Sequence, residues 1–163
     1  MAQKEINSNR FTPDILDFII YLNKYEVKYV IVSGQAVIYY GHSRLTGDVD
    51  FYYERTEANC NRLFQALYEF WGGEIPGLKA EEDLNKKNMV FQFGIPPNRI
   101  DLINEISGLE FNQVWEDREI VKLKLPTGSM DLFFIGLDLL IKNKEKVARP
   151  RDLEDLKFLK SLK

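Results

Sequence analysis

Only one cysteine, Cys60, and one histidine, His42, occur in the 163 residues. A lone cysteine excludes an internal disulfide framework and argues against thiolate zinc sites. A lone histidine argues equally against a His-rich metal site and a Ser-His-Asp triad. Any divalent cation would therefore be held by oxygen, which favours Mg²⁺ or Mn²⁺. No apolar run reaches 18 residues, so no membrane span is expected. The opening "MAQKEINSNR" lacks the apolar core of a secretory signal, and a cytoplasmic protein is the default expectation. There is no internal repeat and no low-complexity tract. Hydrophobic residues make up 45% and charged residues 29%, the balance of a globular chain. The length suits a single domain over residues 1–163, with residues 1–10 expected as a flexible tail.

The net charge of −3 is unevenly spread. Residues 142–163 hold eight basic and four acidic residues, +4, which leaves 14 basic and 21 acidic, −7, for the rest. Such a segment can meet phosphate locally, although the whole chain is not that of a nonspecific nucleic-acid binder. The plainer reading is a solvated helix face.

Periodicity places the elements. "TPDILDFIIYLNKY" has Thr12 as N-cap, Pro13 at the first helical position, and Ile15, Phe18, Ile19 and Leu22 on one helical face. "VKYVIVS" reads as a strand ending at Gly34, followed by a short helix through Val37, and "DVDFYYE" as the next strand. "TEANCNRLFQALYEFW" is an amphipathic helix whose buried stripe takes in Cys60, a small core residue there rather than a nucleophile. "GGEIPGLKAEEDLNKKN" reads as a mobile connection. "MVFQFG" and "RIDLINEI" are strands around a Pro-Pro turn, "LEFNQVWEDRE" a short helix and "IVKLKL" a strand. "LDLLIKNKEK" and "RPRDLEDLKFLKSL" are two closing helices around Arg149-Pro150. Mixed strands and helices predict an α+β chain, a mixed sheet covered by helices.

Chemistry concentrates at the head of "DVDF". Side chains on a strand alternate between faces, so Asp48, Asp50 and Tyr52 share one face, with Asp48 and Asp50 about 6.6 Å apart at the Cα. Two same-face carboxylates without a partner raise each other's pKa, a cost a divalent cation removes. Asp101 lies among Ile100, Leu102 and Ile103, where an unpaired carboxylate is expensive. If its strand neighbours "DVDF", it joins the same patch. Upstream, Ser33-Gly34 marks a strand-to-helix turn. Gly34 permits a close backbone approach, and free amides with the Ser33 hydroxyl suit phosphate.

Structural alternatives stand beside these readings. A DxD pair alone is a weak signal. Thr46-Gly47 can be a turn, Arg44 can pair with Asp48 or Asp50 when no metal is bound, and His42 suits a structural role better than a catalytic one. Lys142 can pair with Asp138 at i, i+4. Arg149, Asp152 and Asp155 can form a salt-bridged helix start. Arg99 shares a strand face with Asp101, so an Asp–Arg contact without chemistry is the rival reading there.

Ser33-Gly34, thirteen intervening residues, Asp48-Val49-Asp50-Phe51 and a later Asp101 resemble the DNA polymerase-β-like nucleotidyltransferase superfamily. "GHSRLTGDVDF" is similar to bacterial minimal nucleotidyltransferase-like proteins, including relatives of abortive-infection toxins of the AbiEii type. "LDLLIKNKEKVARPRDLEDLKFL" resembles their closing helices, so the likeness reaches from about residue 27 to the end. The resemblance implies a nucleotidyltransferase-type sheet. It implies that Ser33 and Gly34 contact a triphosphate, with Arg44 and Thr46 lining the site and Lys142 reaching the phosphates. It also implies that Asp48 and Asp50 bind two Mg²⁺ (or Mn²⁺) ions and that Asp101 completes the metal site. Many members have Gly-Ser or Gly-Gly where this chain has Ser-Gly. The expected activity is transfer of a nucleoside monophosphate from an NTP to a hydroxyl of RNA, protein or a small molecule. The alternative is a catalytically silent binding module, or a partner in a toxin–antitoxin pair.

Overall fold

The computed structural model describes residues 4–163. Seven strands form one mixed sheet: β1 (Glu5–Asn7), β2 (Tyr29–Val32), β3 (Asp48–Tyr53), β4 (Val90–Phe93), β5 (Arg99–Ile103), β6 (Glu119–Leu125) and β7 (Gly128–Phe134). Their spatial order is β1-β6-β7-β2-β3-β5-β4. The central pair β2–β3 is antiparallel, whereas β3 runs parallel to β5 and β2 parallel to β7. Six α-helices complete the chain: α1 (Pro13–Lys24), α2 (Ser33–Tyr39), α3 (Glu57–Phe70), α4 (Phe111–Glu116), α5 (Leu137–Val147) and α6 (Pro150–Ser161). The expected α+β class, a mixed sheet covered by helices with two closing ones, is the observed architecture. Among the described residues no helix is long and apolar enough to cross a membrane.

Strand alternation sorts the two faces of the sheet. Phe51 of β3 points to the face covered by α1 and α3, where Phe18 meets both Phe51 and Phe70 edge-on. Ile15, Phe18, Ile19 and Leu22 are buried on α1, and Leu63 and Leu67 on α3, as the helical period requires. Thr12 and Thr56 cap these helices by accepting hydrogen bonds from the amides of Ile15 and Asn59. Asp48, Asp50 and Tyr52 point to the opposite face, where Tyr52 packs edge-on against Phe111 of α4. One side of β3 thus builds the core and the other is left for the carboxylates.

Three expectations about elements change. Residues 5–10 are not a tail: β1 pairs in parallel with β6, and Ser8–Arg10 form a 3₁₀ turn (residues 1–3 lie outside the described residues). The glycine- and charge-rich connection holds a 3₁₀ turn, Glu81–Asn85, anchored by fully buried Leu84. The Tyr53 hydroxyl donates to the Leu84 carbonyl at 2.7 Å, and Asn104 Nδ2 donates to the Lys86 carbonyl at 2.7 Å. Ile75 and Leu78 are buried as well, and these apolar anchors with the hydrogen bonds outweigh the turn-forming composition. β7, unassigned from sequence, closes a tight hairpin with β6 in which Leu125 faces Gly128 across Pro126-Thr127.

Candidate metal centre

The three aspartates converge through strand register. β3 and β5 pair in parallel with Asp50 beside Asp101 and Asp48 beside Arg99. One carboxylate oxygen from each of Asp48, Asp50 and Asp101 lies within 4.8 Å of the others, close enough for all three to hold one metal ion. Asp101 is buried, and Asp48 and Asp50 are half-buried.

The polar contacts are uneven. Thr46 Oγ1 donates to Asp48 Oδ1 at 2.8 Å. Arg99 donates through Nη2 to Asp48 Oδ2 at 2.9 Å, through Nε to Asp101 Oδ1 at 2.9 Å, and through Nη2 to Asp101 Oδ2 at 3.0 Å. Gln92 Nε2 adds a donor to Asp101 Oδ2 at 3.3 Å. Asp50 has no such share: its Oδ1 is buried with no hydrogen-bond partner among the described residues.

Titration follows this asymmetry. Burial, then the charge of neighbouring Asp48, pushes Asp50 up to about 7, against a lowering pull from the Ser33 hydroxyl. Burial acts on Asp48 in the same sense, but Thr46, the proton shared with Asp50 and Arg99 together hold it below its ordinary value. The cluster is under-neutralised at one oxygen. An orphaned, buried carboxylate oxygen flanked by two more carboxylates is a donor set for a hard cation, and the three aspartates could hold a metal ion.

Beside the carboxylates, the chain leaves β2 and enters α2 through Ser33, whose φ of +59° is left-handed. α2 is only seven residues long. Loop 42–47 folds back over its start, so a Cβ on Gly34 would come 2.7 Å from Arg44 Nη2 and 3.1 Å from Thr46 Oγ1. The close approach expected at Gly34 is thus made by the chain's own arginine. Arg44 does not pair with Asp48 or Asp50; its Nη1 lies 3.5 Å from Asp155 Oδ2 on α6. His42 packs against the Phe158 ring, and its Nε2 lies 3.9 Å from Asp155 Oδ1, a structural setting.

The closing helices bury a lysine that sequence reasoning did not single out, Lys144. Lys142 is exposed on α5, and Asp138 pairs with Lys163 rather than with Lys142. Lys144 is the buried one, 3.0 Å from Asp152 Oδ1 and 2.9 Å from Asp155 Oδ2. Arg149 Nε donates to Asp152 Oδ2 at 2.8 Å, the salt-bridged helix start that the sequence allowed. Burial alone would raise Asp152, yet hydrogen bonds from Arg149 and Lys144 hold it down to about 2. Helical period carries the missed signal: Leu140, Ile141 and Lys144 lie on one buried stripe, as do Asp152, Asp155, Leu156 and Leu159. A charged residue at a core position of one helix calls for its opposite on the next.

Ser33, Gly34, Arg44, Thr46, Asp48, Asp50 and Asp101 therefore gather around one end of β2, β3 and β5, and Lys142 lies exposed on α5. Gln92, Arg99, Lys144 and Asp155 complete the polar surroundings. No protein-family model matches the chain, and no curated protein is similar to it.

Proposed function

We propose that this chain is a divalent-metal-dependent nucleotidyltransferase, which moves a nucleoside monophosphate from an NTP to an acceptor hydroxyl and releases pyrophosphate. The observation that carries this reading is the orphaned Oδ1 of Asp50 within the three-aspartate cluster, beside the Gly34–Arg44 approach. In it, Asp48, Asp50 and Asp101 hold Mg²⁺ or Mn²⁺. The ion supplies charge neutralisation of the triphosphate and a more acidic acceptor hydroxyl. The Arg44 guanidinium and the Gly34 backbone meet phosphate oxygens, and Thr46 keeps Asp48 turned inward through its 2.8 Å hydrogen bond. Phosphoryl chemistry of this kind asks for positioning and electrostatic stabilisation rather than a covalent group on the protein. RNA, a protein hydroxyl or a small molecule serves as acceptor in this reading.

The test is incubation with Mg²⁺, each labelled NTP in turn, and total RNA. Label on RNA or on the protein itself supports transfer, and its loss in Asp48→Asn/Asp50→Asn ties it to this cluster. One observation favours a second reading, a nucleotidyltransferase-fold binding module without turnover: Arg99 already neutralises part of the cluster. That module would give no labelled product. Its thermal stability would also ignore divalent cations, whereas a bound ion at a hundredfold excess over Kd adds about 2.7 kcal/mol to the native state.

A further inference from the structure

Arg99 stands where the cation would. Its Nη2 is shared by Asp48 Oδ2 at 2.9 Å and Asp101 Oδ2 at 3.0 Å, so one nitrogen fills the notch between two of the three carboxylates. Its Nε closes a fork on Asp101 through Oδ1 at 2.9 Å, which leaves neither oxygen of Asp101 unengaged. A metal bonded to these oxygens at roughly 2.1 Å would overlap a nitrogen held about 3 Å from each of them. Fork and ion exclude one another. The fork leaves out Asp50, the carboxylate with the orphaned oxygen. A planar guanidinium satisfies two carboxylates side by side, but it does not converge on three. Arg99 remains one-third exposed, at the open side of the cluster, so its side chain can leave without unpacking the core.

We propose that Arg99 is the resident counter-ion of the metal-free centre, exchanged for the divalent cation and turned onto the phosphates that arrive with it. This rests on the metal-centre reading above and adds a residue to it. Three carboxylates facing one arginine keep a surplus of negative charge, which draws a divalent ion. Once exchanged, the guanidinium stands beside the cluster as a bidentate donor with no carboxylate to hold, and phosphate oxygens match the same fork. A metal–triphosphate complex satisfies both halves at once, ion on the aspartates and phosphate on the arginine. A bare ion satisfies only one. The centre therefore discriminates for nucleotide-bound metal over free metal.

The experiment uses the full chain labelled with ¹⁵N-arginine, Mg²⁺ and Mn²⁺ as probes, and a non-hydrolysable NTP analogue. The Arg99 Nε–H resonance is identified by its loss in Arg99→Lys. Mg²⁺ should shift that resonance, and the analogue should shift it again. By calorimetry, Arg99→Gln should bind Mn²⁺ about tenfold more tightly than the wild type, the scale of one charge-assisted hydrogen bond no longer broken, and the analogue should raise its Mn²⁺ affinity by a smaller factor than it does in the wild type. Arg99→Lys, which keeps the charge and loses the fork, should lie between the two for both probes. If wild-type protein binds Mg²⁺ while the Arg99 Nε–H resonance stays in place, or if Arg99→Gln gains nothing for Mn²⁺, the exchange is wrong and the metal centre stands. If the analogue raises Mn²⁺ affinity by the same factor in Arg99→Gln as in the wild type, the transfer onto phosphate is overturned. If neither wild type nor Arg99→Gln binds Mn²⁺, the metal-centre reading fails and the exchange fails with it.

Discussion

Ser33 holds a left-handed conformation that L-residues avoid, at a cost of about 1–2 kcal/mol, and glycine would hold it freely. The serine is therefore retained against backbone preference, and its hydroxyl lowers the pKa of Asp50. Ser33→Gly should raise the thermal stability of the metal-free protein while moving the Asp50 titration further upward, read by carboxyl NMR. A loss of stability would mean that the hydroxyl outweighs the strain. Asp50 itself makes stability depend on pH. Its pKa is raised in the fold, so its stabilising contribution is complete below the unfolded value near 4 and is lost as pH rises through about 7. In chelator, Asp50→Asn should unfold at nearly the wild-type temperature at pH 4 and above it at pH 8. Identical differences at both values would reject a raised Asp50. At this scale the convergence of the aspartates was legible from strand alternation, and the close approach at Gly34 from a turn signal. The Arg99 bridge was legible only as a rival reading, because facing alternation says which side chains share a surface but not which cation wins.

Two junctions between elements set the site's shape. Loop 42–47 lies on the start of α2, with the far end of Arg44 filling the space a Cβ on Gly34 would need. Gly34→Ala should expel the Arg44 tip from its slot and press on Thr46, lowering NTP affinity with about 1–2 kcal/mol lost in stability. Outright unfolding of this variant would make Gly34 a packing residue alone. The second junction joins α5 to α6 through Lys144, Asp152 and Asp155. Removing one partner from a buried ionic group leaves charge uncompensated, so Lys144→Met should cost about 3 kcal/mol in urea unfolding. Lys142→Ala on the exposed face should change stability by less than about 0.5 kcal/mol. Equal effects would contradict the buried network. Long periodic helices and β3–β5 could be read from sequence because their apolar spacing is strong. β7 could not, with glycines at both ends of "GSMDLFFIG" that read as loop. The turn at Leu84 was hidden for the converse reason: scattered anchors among many turn-forming residues carry no period.

At the level of the whole molecule, folding changes the charge that the C-terminal segment presents. Of its twelve charged residues the fold buries Lys144, Asp152 and Asp155, which leaves seven basic and two acidic side chains exposed. Composition indicated the sign of this surface but not its strength, since only the packed helices decide which charges face water. The buried lysine also makes the molecule a reporter of its own opening. An amine reacts with acylating reagents only where the reagent can reach it, and Lys144 is out of reach while it sits between two carboxylates at 3% exposure. Lys142, two residues away and exposed, is its internal standard. Brief acetylation followed by peptide mass spectrometry should modify Lys142 quickly and Lys144 at the rate at which α6 lifts from α5. Because Asp155 also touches Arg44 over Gly34, an NTP analogue that engages Arg44 should alter the rate at Lys144 and leave that at Lys142 unchanged. Comparable labelling of the two lysines would mean that the helices part freely in solution.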